Sequence, residues 1–208
     1  MKDIILIGYG GHAKSVADSI KGKNEYRIAG YTDVKKNDDV DLEYLGNDDV
    51  LSTYFEKGIT DAVMGIGFMG GTSKVRESLY EKARNIGYNF PPIIDTSAVV
   101  AQDVQIGEGT YVGKRVVINA DTRVGKCCII NTGAIIEHEN VIGDFSHVAV
   151  GATLCGNVQV EKNCMVGANA TVIQGIKVGE GSIIGAGSVV LKPVETGTTV
   201  VGVPAREV

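Results

Sequence analysis

Residues 124–160 read VGKCCIINTGAIIEHENVIGDFSHVAVGATLCGNVQV, and every sixth position is aliphatic: Val124, Ile130, Ile136, Ile142, Val148, Leu154 and Val160. The same step runs back through Ile118, Val112, Ile106 and Val100 to Ile94, and forward through Val166, Val172, Val178 and Ile184 to Val190. All 17 positions are Ile, Leu or Val, without a slip in register. Two places earlier the residue is usually small or aliphatic, as at Ala98, Val104, Thr110, Val116, Thr122, Cys128, Ala134, Ser146, Ala152 and Val158. Gly often follows the aliphatic position, as at Gly107, Gly113, Gly125, Gly143, Gly167, Gly179 and Gly185.

A six-residue unit of this kind is a short strand plus a corner. Three units close a triangular coil of 18 residues, and stacked coils bury a continuous core. The aliphatic residue points inward, the small one fills the space beside it, and Gly or Asn permits the corner's backbone angles. Residues 18 apart then lie one strand spacing apart, about 4.8 Å. Residues 94–195 supply between five and six coils. Cys128 and Cys164 share the inward register two coils apart and read as buried small hydrophobes; the cysteines as a group sit in core-like registers.

The first ninety or so residues follow another rhythm. Ile4-Ile5-Leu6-Ile7 is a strand-like run broken by Gly8-Tyr9-Gly10-Gly11-His12, after which Val16, Ala17 and Ile20 fall on one helical face. Residues 27–31 and 62–66 read as further strands, and residues 73–85 as an amphipathic helix with Val75, Leu79, Tyr80 and Ala83 on one side. Residues 33–41 are polar and charged, an exposed loop. Alternating strands and helices imply a small parallel, Rossmann-like α/β sheet. The expected division is an α/β domain over residues 1–92 and a parallel β-helix of hexapeptide repeats over 93–208.

Composition narrows the function. The 208 residues carry 28 Gly, no Trp and a net charge of −5, a balance that argues against a nucleic-acid binder dependent on phosphate contacts. No apolar run approaches the roughly 18 residues needed to cross a bilayer. Met1 to Asp3 lead straight into a strand-like run without a signal-peptide pattern, and the four cysteines lack CxxC spacing, so a reduced, cytoplasmic protein is expected.

Only three histidines are present, His12, His138 and His147. His138 lies outside the inward register, so it should project from a corner, with an adjacent carboxylate, Glu139 or Glu137, to hold the imidazole and raise its basicity. The residues one coil away are Ala120 and Gly156. Gly156 would expose a backbone N–H one strand spacing from the imidazole, placed to polarise a thioester carbonyl. A base and an oxyanion donor are what direct acyl transfer from a thioester requires, with no covalent enzyme intermediate. At the N-terminus, Gly8-x-Gly10-x-x-Ala13 matches a dinucleotide fingerprint after a strand, with Asp33 some twenty residues on. The segment before the repeat is about half of what two mononucleotide-binding halves need, so a single nucleotide fits better, its phosphate at the helix N-terminus.

Asn131-Thr132, Ile136-Glu137-His138-Glu139, Val141-Ile142-Gly143, Phe145-Ser146-His147-Val148 and Cys155-Gly156-Asn157-Val158 resemble the PglD/NeuD-like sugar-nucleotide N-acetyltransferases. Gly8-Tyr9-Gly10-Gly11-His12 and Val201-Gly202-Val203-Pro204-Ala205 match as well. The resemblance implies a left-handed β-helix, a homotrimer, and acetyl-CoA in the groove between neighbouring subunits. It implies His138 as general base, Glu139 as its carboxylate partner, His147 near acetyl-CoA, Asn131 at an active-site position and Gly156 as the amide on the thioester carbonyl. Ala168 and Ala186 would border the pantetheine arm. The N-terminal domain would hold the nucleotide of a UDP-sugar, with Gly10, Gly11 and His12 near the phosphates or sugar, Asp33 on the base or ribose, and Gly67 and Arg76 completing the site. The stretch between Gly67 and Arg76 is longer than the family pattern, so UDP, dTDP and GDP stay open.

The activity this implies is acetyl transfer from acetyl-CoA to the amino group of a UDP-linked 4-amino-4,6-dideoxy sugar, for surface glycan or glycoprotein sugar synthesis. No loop interrupts the repeat between Ile94 and Val190, so the base comes from a coil corner, as in the amino-sugar enzymes. The alternatives are O-acetylation of sialic acid by a NeuD-like relative, a metal enzyme resembling the γ-class carbonic anhydrases, and a non-catalytic assembly module. The β-helix offers only His138 and His147 where a catalytic zinc commonly takes three protein ligands, so no metal is expected.

Overall fold

The computed structural model describes residues 1–68 and 73–208. Part of the long turn singled out in the sequence, residues 69–72, lies outside the described residues. The chain divides into two compact units, Met1–Thr96 and Ser97–Val208.

In the first unit, strand β1 (Lys2–Ile7) leads into helix α1 (Gly11–Lys23), then β2 (Tyr26–Thr32), β3 (Tyr44–Gly46), α2 (Leu51–Glu56), β4 (Asp61–Met64) and α3 (Ser73–Ile86). The sheet order is β3-β2-β1-β4, all parallel. Ile4, Ile5, Leu6 and Ile7 are completely buried, as a central parallel strand covered on both faces should be. Val16, Ala17 and Ile20 form the buried face of α1, and Ser19 Oγ donates to the buried Asp95 carboxylate at 2.6 Å. The sequence pattern anticipated three strands and two helices but not β3 or α2. Both are short, six residues or fewer, and β3 is an edge strand with no periodicity long enough to read.

The second unit is the expected coil of two-residue strands. From Val99 to Val190 the ladders pair a residue with the one 18 positions on, for example Ile135 with Thr153 and His147 with Met165, and the step shortens to 16 where Ile183 pairs with Thr199. All the aliphatic positions from Val112 to Val190 are buried; Val100 and Ile106 are half-buried where the stack ends.

Three sides result. On the first, Val99, Val117, Ile135, Thr153, Thr171 and Val189 point outward; on the second, Gln105, Arg123, Val141, Gln159 and Lys177 do. On the third, the strands starting at Tyr111, Ile129, His147, Met165 and Ile183 are followed by Thr199–Val201 and the antiparallel Arg206–Glu207.

Two kinds of glycine serve the corners. The third corner residue is left-handed at every turn from Gly109 to Gly187 and is usually Gly, Asn or Asp. The Gly that follows the aliphatic residue is needed for another reason than the expected backbone angles. A Cβ on Gly143 would sit 2.5 Å from the Lys162 backbone nitrogen of the next coil.

The cysteines need one correction. Cys128 and Cys164 are inward and buried, donating to Gly143 O and Gly179 O at 3.2 and 3.0 Å. Cys127 is also buried, but at a left-handed corner (φ 50°), and Cys155 is only half-buried because it follows the inward Leu154. Burial pushes the Cys164 thiol up to about 11, so it stays protonated until the pH approaches that value. A thiol reagent at mildly alkaline pH is expected to label Cys155 rapidly and the three buried thiols only on unfolding. Rapid labelling of native Cys164 would contradict this packing.

Candidate active site

The corner Glu137–Asn140 links the first side of the β-helix to the second. Its column runs through Ala120, His138, Gly156 and Gln174, fixed by Glu139 N–H to Ala120 O (2.9 Å), Asn157 N–H to His138 O (2.9 Å) and Gly175 N–H to Gly156 O (3.0 Å). The imidazole projects outward, its side chain 58% exposed.

His138 Nδ1 lies 2.9 Å from Glu139 Oε2. An ionised carboxylate only accepts, so Nδ1 carries the proton and Nε2 keeps its lone pair. Glu139 occupies the left-handed corner position at φ 60°, where most other corners use Gly or Asn; such a residue costs about 1–3 kcal/mol. The strained backbone turns its carboxylate onto the imidazole.

Gly156 lies directly against this ring. A Cβ placed there would come 2.7 Å from His138 Nε2 and 2.6 Å from Cε1. The second corner position repeats every six residues from Thr96 to Lys192, and Gly156 is its single glycine. That signal was available in the sequence. Among the described residues, the Gly156 N–H donates to no acceptor.

The other β-helix candidates gather at a different corner, on the far edge of the first side. Asn131 opens that corner, and the ladder pairs Ile129 with His147. Asn131 Oδ1 accepts from Thr132 N–H at 2.8 Å, which leaves its NH₂ facing His147 Nε2 at 3.3 Å. That amide donates to His147 Nε2 when this nitrogen carries its lone pair. Ala168 and Ala186 stack in one column of the same corner, joined by Gly187 N–H to Ala168 O at 2.8 Å. One chain thus brings His138, Glu139 and Gly156 together, and separately Asn131, His147, Ala168 and Ala186.

In the α/β unit, the candidates converge on the carboxyl ends of β1, β2 and β4. β2 and β4 flank β1 on opposite sides, which makes the crevice between β1 and β4 the switch point where α/β sheets bind ligands. Gly8 (φ 85°) and Gly65 lie so close that a Cβ on Gly65 would collide with Gly8 O. Gly67 packs on His12, and Gly10 and Gly11 have open space where side chains would be. α1 starts at Gly11, and its N-cap residue, Gly10, has no side chain to cap it.

Asp33 is bound from within: Oδ2 accepts from Tyr9 N–H (2.8 Å) and Oδ1 from Val34 N–H (2.7 Å), so it clamps the Gly-rich loop. Arg76, in the first turn of α3, is only 1% exposed. Among the described residues no three His, Cys, Asp or Glu side chains are grouped as a metal site would need, and no helix is long and apolar enough to cross a membrane.

Comparison with known proteins agrees with both halves. Residues 3–83 match the PglD N-terminal domain, and residues 157–192 match the hexapeptide repeat of succinyl-transferase. A histidine-to-alanine mutant of GDP-perosamine N-acetyl transferase from Caulobacter crescentus, solved with CoA and GDP-perosamine, superposes with a TM-score of 0.93. It is 33% identical, and the match covers 100% of this chain and 97% of that one. The chain belongs to the PglD-like sugar acetyltransferases.

Two further members of this acyltransferase family are similar. The acetyltransferase domain of PglB from Neisseria gonorrhoeae FA1090, in complex with acetyl coenzyme A, is 28% identical with a TM-score of 0.92, over 100% of this chain and 99% of that one. UDP-N-acetylbacillosamine N-acetyltransferase from Bacillus subtilis (strain 168) is 37% identical over 113 residues, 54% of this chain; the match spans about half, 51%, of that relative's length.

Gly156→Ala tests the contact at the centre of the site. The Gly156 backbone is not left-handed, so the fold should hold within about 1 kcal/mol, while the imidazole must swing away from the new methyl. The His138 ring nitrogens should shift by NMR; unchanged ring signals would contradict the described geometry.

Proposed function

We propose that this acetyltransferase moves the acetyl group of acetyl-CoA to the amine of a UDP-linked 4-amino-4,6-dideoxy sugar. One observation carries the reading: an imidazole oriented through Nδ1 by Glu139 lies against Gly156, the single glycine of its corner column.

The amine attacks the thioester carbonyl carbon as His138 Nε2 takes its proton. The new C–N bond leaves a tetrahedral oxyanion, which accepts from the Gly156 N–H. Collapse breaks the C–S bond, and the imidazolium returns a proton to the departing CoA sulfur. Because His138 is largely exposed, an incoming amine reaches it without any rearrangement of the coil.

Asn131 and His147 act on the acetyl-CoA side in this reading, and the small Ala168 and Ala186 leave room for the pantetheine arm. Gly10, Gly11 and His12 take the diphosphate and sugar of the nucleotide, at the N-terminus of α1 where the helix dipole favours negative charge. Asp33 holds the loop that makes those contacts and presents its remaining lone pairs to the ribose or base; Gly67 and Arg76 complete the site. The GDP-perosamine and UDP-N-acetylbacillosamine enzymes among the relatives support a nucleotide-linked amino sugar as acceptor.

A site shared between subunits belongs to the same reading. The His138 corner and the Asn131 corner border the first side, whose outward residues carry no charge and include Val99 at 65% and Ile135 at 39% exposure. Three copies closing a ring through this side would set the His138 corner of one chain against the Asn131 corner of the next, a homotrimer with three composite sites. A cytoplasmic place of action in surface glycan or glycoprotein sugar synthesis is also part of the proposal, supported by four cysteines that are all free thiols.

Release of CoA with a thiol reagent, across a panel of UDP-, GDP- and dTDP-linked 4-amino sugars, tests the substrate class; no acetylation of any of them would overturn it. His138→Ala should lower turnover by about 10²- to 10⁴-fold with little change in melting temperature, and near-normal turnover would remove His138 from the mechanism. Composite sites predict complementation. Co-assembly of His138→Ala chains with chains carrying both Asn131→Ala and His147→Ala should restore about a quarter of the wild-type sites, since each site then draws its two corners from different chains. An inactive mixture would place both corners' work within one chain.

A further inference from the structure

We propose that Asn140, a buried residue behind the His138 corner, is a positioning residue that locks the imidazole and the Gly156 amide into one register; this rests on the acyl-transfer reading above. The inward position two places before each aliphatic residue is occupied from Ala98 to Val194 by small, hydroxyl, thiol or aliphatic side chains, and Asn140 is its single amide. Asn140 is completely buried.

The hydroxyls at this position follow a common pattern. Ser146 donates to Glu161 O at 2.9 Å and accepts from Cys164 N–H at 3.1 Å, so one side chain ties its coil to the next. Thr110 does the same with Gly125 O and Cys128 N–H, and Thr122 with Glu137 O and Asn140 N–H.

Asn140 makes both of these bonds. Its Oδ1 accepts from Val158 N–H at 3.1 Å, and its Nδ2 donates to Cys155 O at 3.0 Å. A hydroxyl has one proton, whereas the amide has two. The second amide proton goes to the chain's own corner, to Glu137 O at 2.5 Å, with His138 O also at 3.4 Å.

One side chain therefore grips the residues on either side of the chemistry. Glu137 precedes His138, Cys155 precedes Gly156, and the grip closes a corner whose next residue, Glu139, holds a left-handed backbone without the freedom of Gly. Loss of the own-corner bond would let the His138 corner relax while the stacking bonds to Cys155 and Val158 persist.

Asn140→Ser isolates that bond. Its hydroxyl can reproduce the Ser146 pattern but cannot also reach Glu137 O. Turnover should fall about 10-fold, since small misplacements of a catalytic group are costly, while both KM values stay within about 2-fold. Asn140→Cys is the second variant, because Cys128 and Cys164 fill the same position and donate across the coils.

In a His138→Ala background Asn140→Ser should change the residual rate by less than about 2-fold, because the bond it removes acts on the His138 corner, while the bonds to Cys155 and Val158 that hold the Gly156 side persist. An equal loss in both backgrounds would mean a merely structural role and overturn the proposal. Full turnover in both Asn140 variants, beside a crippled His138→Ala, would overturn it alone. Full turnover in His138→Ala would remove the acyl-transfer reading and this proposal together.

Discussion

The bond from Asn157 N–H to His138 O, 2.9 Å long, belongs to the ladder that joins each coil to the one 18 residues on. It sets the catalytic candidates in place, because residues one coil apart are held at the strand spacing whatever their side chains are. An imidazole at 138 therefore meets whatever stands at 156. With glycine there the ring lies against bare backbone; any Cβ would push it away. The stack also explains why so little core volume suffices, since the inward aliphatic residues of successive coils cover one another continuously.

The α/β unit applies a second constraint of the same kind. Gly8 and Gly65 let the first and fourth strands' exits come together, and the Asp33 carboxylate holds the Tyr9 and Val34 amides, so the loop before α1 is shaped by contacts to its backbone. A loop held in this way presents N–H groups and open space rather than side chains, which suits an anionic ligand that many sequences could bind. In the proposed function the chemistry and the anchoring of the nucleotide fall to separate structures, each with its own geometric rule.

The β-helix was legible because its period leaves no choice: one slip would turn an aliphatic residue out of the core. The approach of His138 to Gly156 was legible for the same reason, as column neighbours in an 18-residue step, and that of Glu139 because it follows His138 in the chain. What escaped the pattern depends on hydrogen bonds or on local backbone. The left-handed conformation of Glu139 follows from its corner position, yet its residue type hides it. The extra amide proton of Asn140 looks like one more small polar filler until its acceptors are known. β3 and α2 were too short to carry a period, and the fingerprint spacing that singled out Asp33 pointed to a ligand contact, not to its clamp on Tyr9 24 residues back. The corner glycines were read as serving backbone angles, whereas Gly143 is required by the close approach of the next coil.

A crystal structure of the protein with acetyl-CoA bound tests the central claim most directly. The account predicts the thioester oxygen about 3 Å from the Gly156 nitrogen, with His138 Nε2 facing the carbonyl carbon across the space an amine would occupy. An acetyl group seated on another corner, or a Gly156 N–H turned away from it, would contradict the account.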